Sequence, residues 1–201
     1  LLVGQKSGDV YALDPDKGGA VVWHNKVGRG GFLGGVHWGM SANGDSLFVP
    51  IADTTITGRF SGPVSPGIHA LDPTSGEVRW YTPSVADCDG KSPIPVCDQG
   101  MSAAITSTDQ LVFAGSLDGN LNVYDSLSGE ILWSFDTFGD FESVSGDTAL
   151  GGSIESDGPV LYKGHVLINS GYQFGARMPG NALMVFSLPP EADLARSTRD
   201  E

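Results

Sequence analysis

IHALDPTSGEVRW, from Ile68 to Trp80, is the stretch that decides the fold of this 201-residue chain. It consists of an alternating strand, an aspartate, a glycine four residues later and a second strand that ends in tryptophan. Two further copies are VYALDPDKGGAVVW (10–23) and LNVYDSLSGEILW (121–133), and a degenerate copy is NALMVFSLPP (181–190). Asp14, Asp72, Asp125 and Ser187 occupy the same position, so the copies lie 58, 53 and 62 residues apart. That spacing is typical of four-stranded propeller blades with their loops.

Each copy has a local physical reason. The aspartate can accept backbone N–H bonds and the glycine can adopt a positive φ, so together they form a tight turn between two outer strands. The tryptophan supplies a large flat surface that can pack between neighbouring blades. We therefore expect Trp23, Trp80 and Trp133 to belong to the scaffold rather than to a ligand site.

The composition favours the same fold class. Hydrophobic residues make up 40% of the chain, which also has 29 glycines and 12 prolines. Many short strands separated by turns fit this composition. Further strand candidates are 45–53, 110–116 and 158–172, which are rich in β-branched and aromatic residues. We predict an all-β partial propeller over 1–188, no helix before the tail, and a polar C-terminal tail over 189–201.

The charge of the chain excludes some partners. A net charge of −13 repels phosphate backbones, so nucleic acid is not an expected partner. No run of apolar residues reaches the roughly 18 to 20 needed for a membrane span, and the N-terminus has no targeting signal. Since the chain begins within a strand-like stretch, we expect earlier blades and a signal peptide to precede it.

Cys88 and Cys97 lie in the loop CDGKSPIPVC, whose prolines and glycine can fold it back on itself. A local disulfide would place the protein in an oxidising compartment, periplasmic or secreted. The alternative is a pair of free thiols in a surface loop.

The repeat A-x-D-x-x-S/T-G-x-x-x-W resembles the tryptophan-docking repeat of quinoproteins. These are eight-bladed propeller dehydrogenases that use pyrroloquinoline quinone, and the polyvinyl-alcohol dehydrogenases are the members most similar to this chain. The resemblance implies that the chain forms roughly four blades from the C-terminal half of such a protein. A non-catalytic outer-membrane assembly lipoprotein shares the repeat, so a propeller scaffold for protein–protein interaction is the alternative function.

Three longer stretches resemble the quinoprotein dehydrogenases more specifically. In GGVHWGMSANGDSLFVPIAD (34–53), Trp38 matches the tryptophan under the quinone and Asp53 the calcium-ligand position. CDQGMSAA and the blade after it resemble the polyvinyl-alcohol dehydrogenases, which puts Asp98 near the catalytic carboxylate. The stretch 151–188 resembles the closing blade, where Arg177 and Asn181 flank the turn MPG and could reach a cofactor carboxylate.

The resemblance implies oxidation of a secondary alcohol, such as polyvinyl alcohol or a related polyol, to a ketone. Calcium would act as a Lewis acid, Asp98 would take the hydroxyl proton, and electrons would pass to cytochrome c or a similar acceptor. Each residue has a simpler alternative: blade packing for Trp38, loop capping for Asp53, solvation for Asp98, and turn stabilisation for Arg177 and Asn181. The adjacent-cysteine disulfide and the calcium-ligand glutamate of the family are absent from these 201 residues.

Overall fold

The computed structural model describes residues 1–54, 61–94, 96–172 and 175–188. These residues form an all-β fold whose five antiparallel sheets contain sixteen strands. The strands are β1 (Leu2–Gly4), β2 (Asp9–Asp14), β3 (Ala20–Lys26), β4 (Ser41–Ala42), β5 (Leu47–Ile51), β6 (Gly67–Leu71), β7 (Val78–Pro83), β8 (Thr106–Ser107), β9 (Leu111–Gly115), β10 (Asn120–Asp125), β11 (Ile131–Asp136), β12 (Gly139–Glu142), β13 (Thr148–Gly151), β14 (Val160–Tyr162), β15 (His165–Ser170) and β16 (Ala182–Ser187).

Four of the sheets are propeller blades in which the strands follow one another in chain order. Blade I is β1-β2-β3, blade II is β4-β5-β6-β7, blade III is β8-β9-β10-β11 and blade IV is β14-β15-β16. The hairpin β12-β13 lies between blades III and IV along the chain. The predicted fold class and the expectation of about four blades are confirmed.

The predicted strands agree with the observed ones except in one place. Stretches 45–53 and 110–116 contain β5 and β9, whereas 158–172 contains two strands, β14 and β15. Lys163 and Gly164 separate them with φ values of 45° and 77°, and two positive φ values are what a type I′ hairpin turn requires. The only helix among the described residues is a 3₁₀ turn, Pro15–Lys17. The predicted tail, 189–201, lies outside them.

The aspartate–glycine turns form as the sequence predicts. Asp72 Oδ1 accepts N–H bonds from Thr74 and Ser75 at 2.7 and 3.1 Å, and Gly76 has a φ of 75°. The turn of blade III repeats this arrangement, with Asp125 as the acceptor and a φ of 74° at Gly129.

Trp23 and Trp80 each lie on the turn of the next blade. Trp23 Nε1 donates to the Pro73 carbonyl at 3.0 Å, and Trp80 Nε1 donates to the Ser126 carbonyl at 3.1 Å. A Cβ atom on Gly76 would lie 2.4 Å from the Trp23 ring, and one on Gly129 2.5 Å from the Trp80 ring. The predicted scaffold role of these two tryptophans is confirmed, and the glycine provides both the turn and the space for the ring.

Apolar residues fill the spaces between blades. Val10, Trp23 and Val49 belong to the cluster between blades I and II, and Phe48, Ile68 and Tyr124 to the cluster between blades II and III. Leu121, Ile154 and Ile168 belong to the third, between blades III and IV. Each fully buried leucine or isoleucine stabilises the fold by about 1.5–3 kcal/mol. Trp133 packs edge-on against Phe186 of blade IV, with ring centroids 5.3 Å apart.

Candidate functional site

All the predicted site residues lie at one end of the blades. In an antiparallel meander, the connections between blades and those between the second and third strands of a blade share one end. Trp38 lies between β3 and β4, Asp53 between β5 and β6, Asp98 between β7 and β8, and Arg177 and Asn181 between β15 and β16. We call this end the loop face. The aspartate–glycine docking turns lie at the opposite end, so scaffold and candidate site are separated.

Trp38 is exposed on the loop face. Its side chain is 49% exposed, and it belongs to none of the apolar clusters between blades. His37 lies beside it, with ring centroids 5.0 Å apart. Gly39 follows it, and a Cβ atom there would meet only the Ala104 side chain, at 3.3 Å. A planar group can therefore approach the indole face without first displacing an apolar core.

Asp53 is fully buried and accepts four backbone N–H bonds. Its Oδ2 accepts from Arg29 and Ser65 at 2.7 and 3.1 Å, and its Oδ1 from Gly30 and Gly35 at 3.0 and 3.1 Å. A carboxylate has about four lone-pair positions, so these donors occupy all of them. As arranged, the residue does not fit a calcium ligand. Among the described residues, no group of three or more His, Cys, Asp or Glu side chains is arranged to hold a metal ion.

Asp98 is fully buried and follows a disulfide. Cys88 and Cys97 are bonded, with their Cα atoms 5.9 Å apart, so the predicted disulfide is confirmed. Asp98 Oδ1 accepts the N–H of Gly100 at 2.9 Å. Gly100 packs closely on blade II, because a Cβ atom there would lie 2.6 Å from the Ala52 carbonyl oxygen. The chain segment after Asp98 therefore passes beside the segment that carries Asp53.

Lys91 fastens the disulfide loop to blade III. Its side chain is only 3% exposed, and Nζ lies 2.9 Å from the Asp118 carbonyl oxygen and 3.0 Å from Asp136 Oδ1. The N–H of Asp87 adds a 3.0 Å bond to Asp118 Oδ2. The lysine was not among the predicted site residues, because its burial depends on how the loop folds over the next blade.

Arg177 and Asn181 have different surroundings. Arg177 is 3% exposed and follows the segment outside the described residues, 173–174, whereas Asn181 is exposed. Asn181 exchanges two bonds with Leu150 of β13, since its N–H donates at 2.6 Å and its Oδ1 accepts at 2.8 Å. These Asn181 contacts join the hairpin to blade IV, and a cofactor role for either residue stays a prediction.

Equivalent hydrogen bonds reveal a row of residues that sequence reasoning missed. The carbonyls of Gly35, Gly100 and Ser153 accept matching N–H bonds at 3.0, 3.0 and 2.9 Å in blades II, III and IV. Two residues further along these three chain segments lie His37, Ser102 and Glu155, in the same order of blades. The loops before β6 and β8 differ in length from the corresponding loops of the other blades, so these three residues do not recur at a constant spacing in the sequence.

His37 connects two blades at this row. Its Nδ1 lies 2.7 Å from Ser102 Oγ. Burial, together with the positive charges of Lys6 and Arg177, lowers the pKa of His37 from 6.5 to about 4. The imidazole is therefore neutral at physiological pH and is a hydrogen-bonding group beside Trp38, not a charged one.

Similarity to known proteins agrees with this architecture. The sequence model of a family described as outer membrane protein assembly factor BamB, with the short name PQQ_2, matches residues 6–152 and 65–176. The chain belongs to this family of PQQ-type propellers. The matched residues include the docking tryptophans Trp23, Trp80 and Trp133.

Individual relatives include enzymes. The chain is 35% identical over 198 residues to polyvinylalcohol dehydrogenases of a Pseudomonas species and of a Sphingopyxis species, covering 94% of this chain and 30% of each relative. It is 33% identical over 112 residues to a 1-butanol dehydrogenase (cytochrome c) of Thauera butanivorans, covering 55% of this chain and 15% of that protein. The chain thus spans about 30% of the length of the polyvinylalcohol dehydrogenases it matches.

Two solved structures share the fold. BamB from Moraxella catarrhalis has a TM-score of 0.55 at 20% identity, over 85% of this chain and 43% of that one. A europium-containing methanol dehydrogenase has a TM-score of 0.50 at 18% identity, over 69% of this chain and 23% of that one. In the part of our chain that the structure describes, no helix has the length and apolar character needed to span a membrane.

Proposed function

We propose that this chain is part of a quinoprotein dehydrogenase that oxidises a secondary alcohol, of the polyvinyl alcohol or polyol class, to a ketone. The proposed cofactor is pyrroloquinoline quinone, the electron acceptor is a cytochrome c or a similar protein, and the location is periplasmic or secreted. The observation that carries the proposal is Trp38, a half-exposed indole beside a glycine on the loop face. Identity of 35% to polyvinylalcohol dehydrogenases supports the substrate class.

In this proposal Trp38 binds the planar cofactor by stacking, which orients it against the loop face. When bound, the quinone supplies the acceptor for the hydride of the alcohol carbon. Asp98 accepts the hydroxyl proton and is the proposed general base. The match of CDQGMSAA to the polyvinyl-alcohol dehydrogenases supports this role. Because Asp98 is 0% exposed, the role requires the segment after the disulfide to open before a hydroxyl can reach the carboxylate. Arg177 and Asn181 are proposed to contact the carboxylates of the cofactor.

Calcium belongs to the proposal only as an expectation from the family resemblance. The carboxylate of Asp53 could bind an ion only if it gave up one of its four N–H bonds. No catalytic step therefore depends on Asp53 as a metal ligand.

The test is reduction of a redox dye by the full-length protein supplied with pyrroloquinoline quinone, calcium and a secondary alcohol. We expect dye reduction by the wild type and its loss in Trp38→Ala. Trp133→Ala is the matched control, because Trp133 is 41% exposed but belongs to the docking repeat. If the wild type reduces no dye, or if Trp38→Ala reduces it at the wild-type rate, the proposed site is wrong.

A second candidate function is a non-catalytic propeller that binds other proteins. The family description, an outer membrane protein assembly factor, favours it. Under this alternative the full-length protein would neither bind the quinone nor reduce the dye. The same assay therefore distinguishes the two functions.

A further inference from the structure

We infer that Asp53 is a positioning residue for Trp38. Its carboxylate gathers the backbone of the glycine-rich connection between β3 and β4, on which Trp38 lies. The inference rests on the proposed function only for what Trp38 binds, since the anchoring of the connection is independent of any cofactor.

The four N–H donors come from two separate segments. Arg29, Gly30 and Gly35 belong to the connection between blades I and II, and Ser65 belongs to the connection between β5 and β6. Asp53 itself is 0% exposed. Charge-assisted bonds of this kind are roughly twice as strong as neutral ones, and a buried acceptor without them would be costly. The carboxylate therefore ties two loops of the loop face together.

Gly35 transmits this anchoring towards Trp38. It has a φ of 64°, and a Cβ atom there would lie 2.5 Å from the Gly8 nitrogen, so it is held tightly against blade I. Only five residues lie between Gly35 and β4. One of them, His37, is hydrogen-bonded to Ser102. Trp38 therefore lies on a short segment that is fixed by Asp53 at one side and by blade III at the other.

Substitution by asparagine separates a positioning role from a metal-binding role. Asp53→Asn keeps the size of the side chain but replaces one oxygen with an NH₂ group, which would point at two N–H donors. A calcium ligand, by contrast, would still present an oxygen in Asp53→Asn, because the side-chain carbonyl of asparagine also binds calcium, so excess calcium would restore quinone affinity. A positioning residue shows no such compensation.

The experiment is hydrogen exchange of the full-length protein together with titration by pyrroloquinoline quinone. In the wild type the amides of Arg29, Gly30, Gly35 and Ser65 should be protected like strand amides. In Asp53→Asn we expect the protection of these amides against exchange to fall on the order of 10- to 100-fold relative to the wild type, the usual effect of losing a hydrogen bond to a charged group. Quinone affinity should fall by about tenfold or more, and millimolar calcium should not restore it.

Asp118→Asn is the matched control. Asp118 follows β9, the corresponding strand of blade III, and accepts N–H bonds from Asn120 and Asp87 at 3.1 and 3.0 Å. Its substitution should deprotect those two amides and leave those of Arg29, Gly30 and Gly35 unchanged.

Fast exchange of the four amides in the wild type would overturn the inference, and this measurement does not depend on a variant that folds. Unchanged protection of these amides in Asp53→Asn would also overturn it, as would recovery of the quinone affinity of Asp53→Asn with calcium. A wild type that binds no quinone, with deprotection in Asp53→Asn, would refute the proposed function while leaving the anchoring by Asp53 in place.

Discussion

The turn glycine of the docking repeat should tolerate alanine poorly, and Gly129→Ala measures how poorly. Gly129 has a φ of 74°, which costs a non-glycine residue about 1–2 kcal/mol. The new methyl group would also lie 2.5 Å from the ring of Trp80, and overpacking of this kind costs about 1–3 kcal/mol. We therefore expect the free energy of unfolding to fall by about 2–5 kcal/mol.

Two controls isolate the contact with tryptophan. Gly146, in the β12-β13 turn, has a φ of 85°, and a Cβ atom there would have nothing within 4 Å, so Gly146→Ala should cost only about 1–2 kcal/mol. A Cβ atom on Gly129 would also lie 2.6 Å from Thr82 Oγ1, so in a Trp80→Leu background Gly129→Ala should cost less than in the wild type but more than Gly146→Ala. Urea denaturation of the full-length proteins gives the values. Equal costs for Gly129→Ala and Gly146→Ala in the wild-type background would refute the tight docking of Trp80 on Gly129.

The remaining predictions concern Lys91, the disulfide and His37. Lys91→Met should lower the free energy of unfolding, measured by urea denaturation, by about 1–3 kcal/mol, because it removes a buried cation from its two acceptors. The control is Lys163→Met at an exposed position, which should change the free energy of unfolding by less than about 0.5 kcal/mol. Reduction of the Cys88–Cys97 disulfide should make the bond after Lys91 a new trypsin site in peptide mass maps; cleavage at an equal rate before reduction would contradict the loop structure. Since the pKa of His37 is lowered from 6.5 to about 4, the unfolded state binds more protons, and stability should fall as the pH drops through this interval. His37→Gln should flatten that part of the pH profile, and an unchanged profile would show that His37 is not buried as described.

The docking repeat could be predicted from sequence because its chemistry is local. The bonds of Asp72 and the left-handed Gly76 lie within five residues of each other, and the tryptophan follows at a fixed spacing. Hairpin β12-β13 was not predicted, because its polar, glycine-containing strands lack the apolar alternation that indicates a strand.

The candidate site was only partly predictable. Trp38 could be recognised, since the glycines beside it and the resemblance both depend on neighbouring residues. The four donors of Asp53 could not, because they come from positions 12 to 24 residues away on two loops. The burial of Lys91 and the pairing of His37 with Ser102 likewise depend on contacts between different blades, which no local pattern contains.

The most direct test of the account is equilibrium binding of pyrroloquinoline quinone to the full-length protein, measured by calorimetry with wild type, Trp38→Ala and Trp133→Ala. We expect saturable binding by the wild type and by Trp133→Ala. Binding by Trp38→Ala should be about tenfold weaker, the loss expected when an aromatic stacking contact of about 1.5 kcal/mol is removed. Equal affinities in the wild type and Trp38→Ala, or no binding by the wild type, would contradict the claim that the loop face around Trp38 is a quinone site.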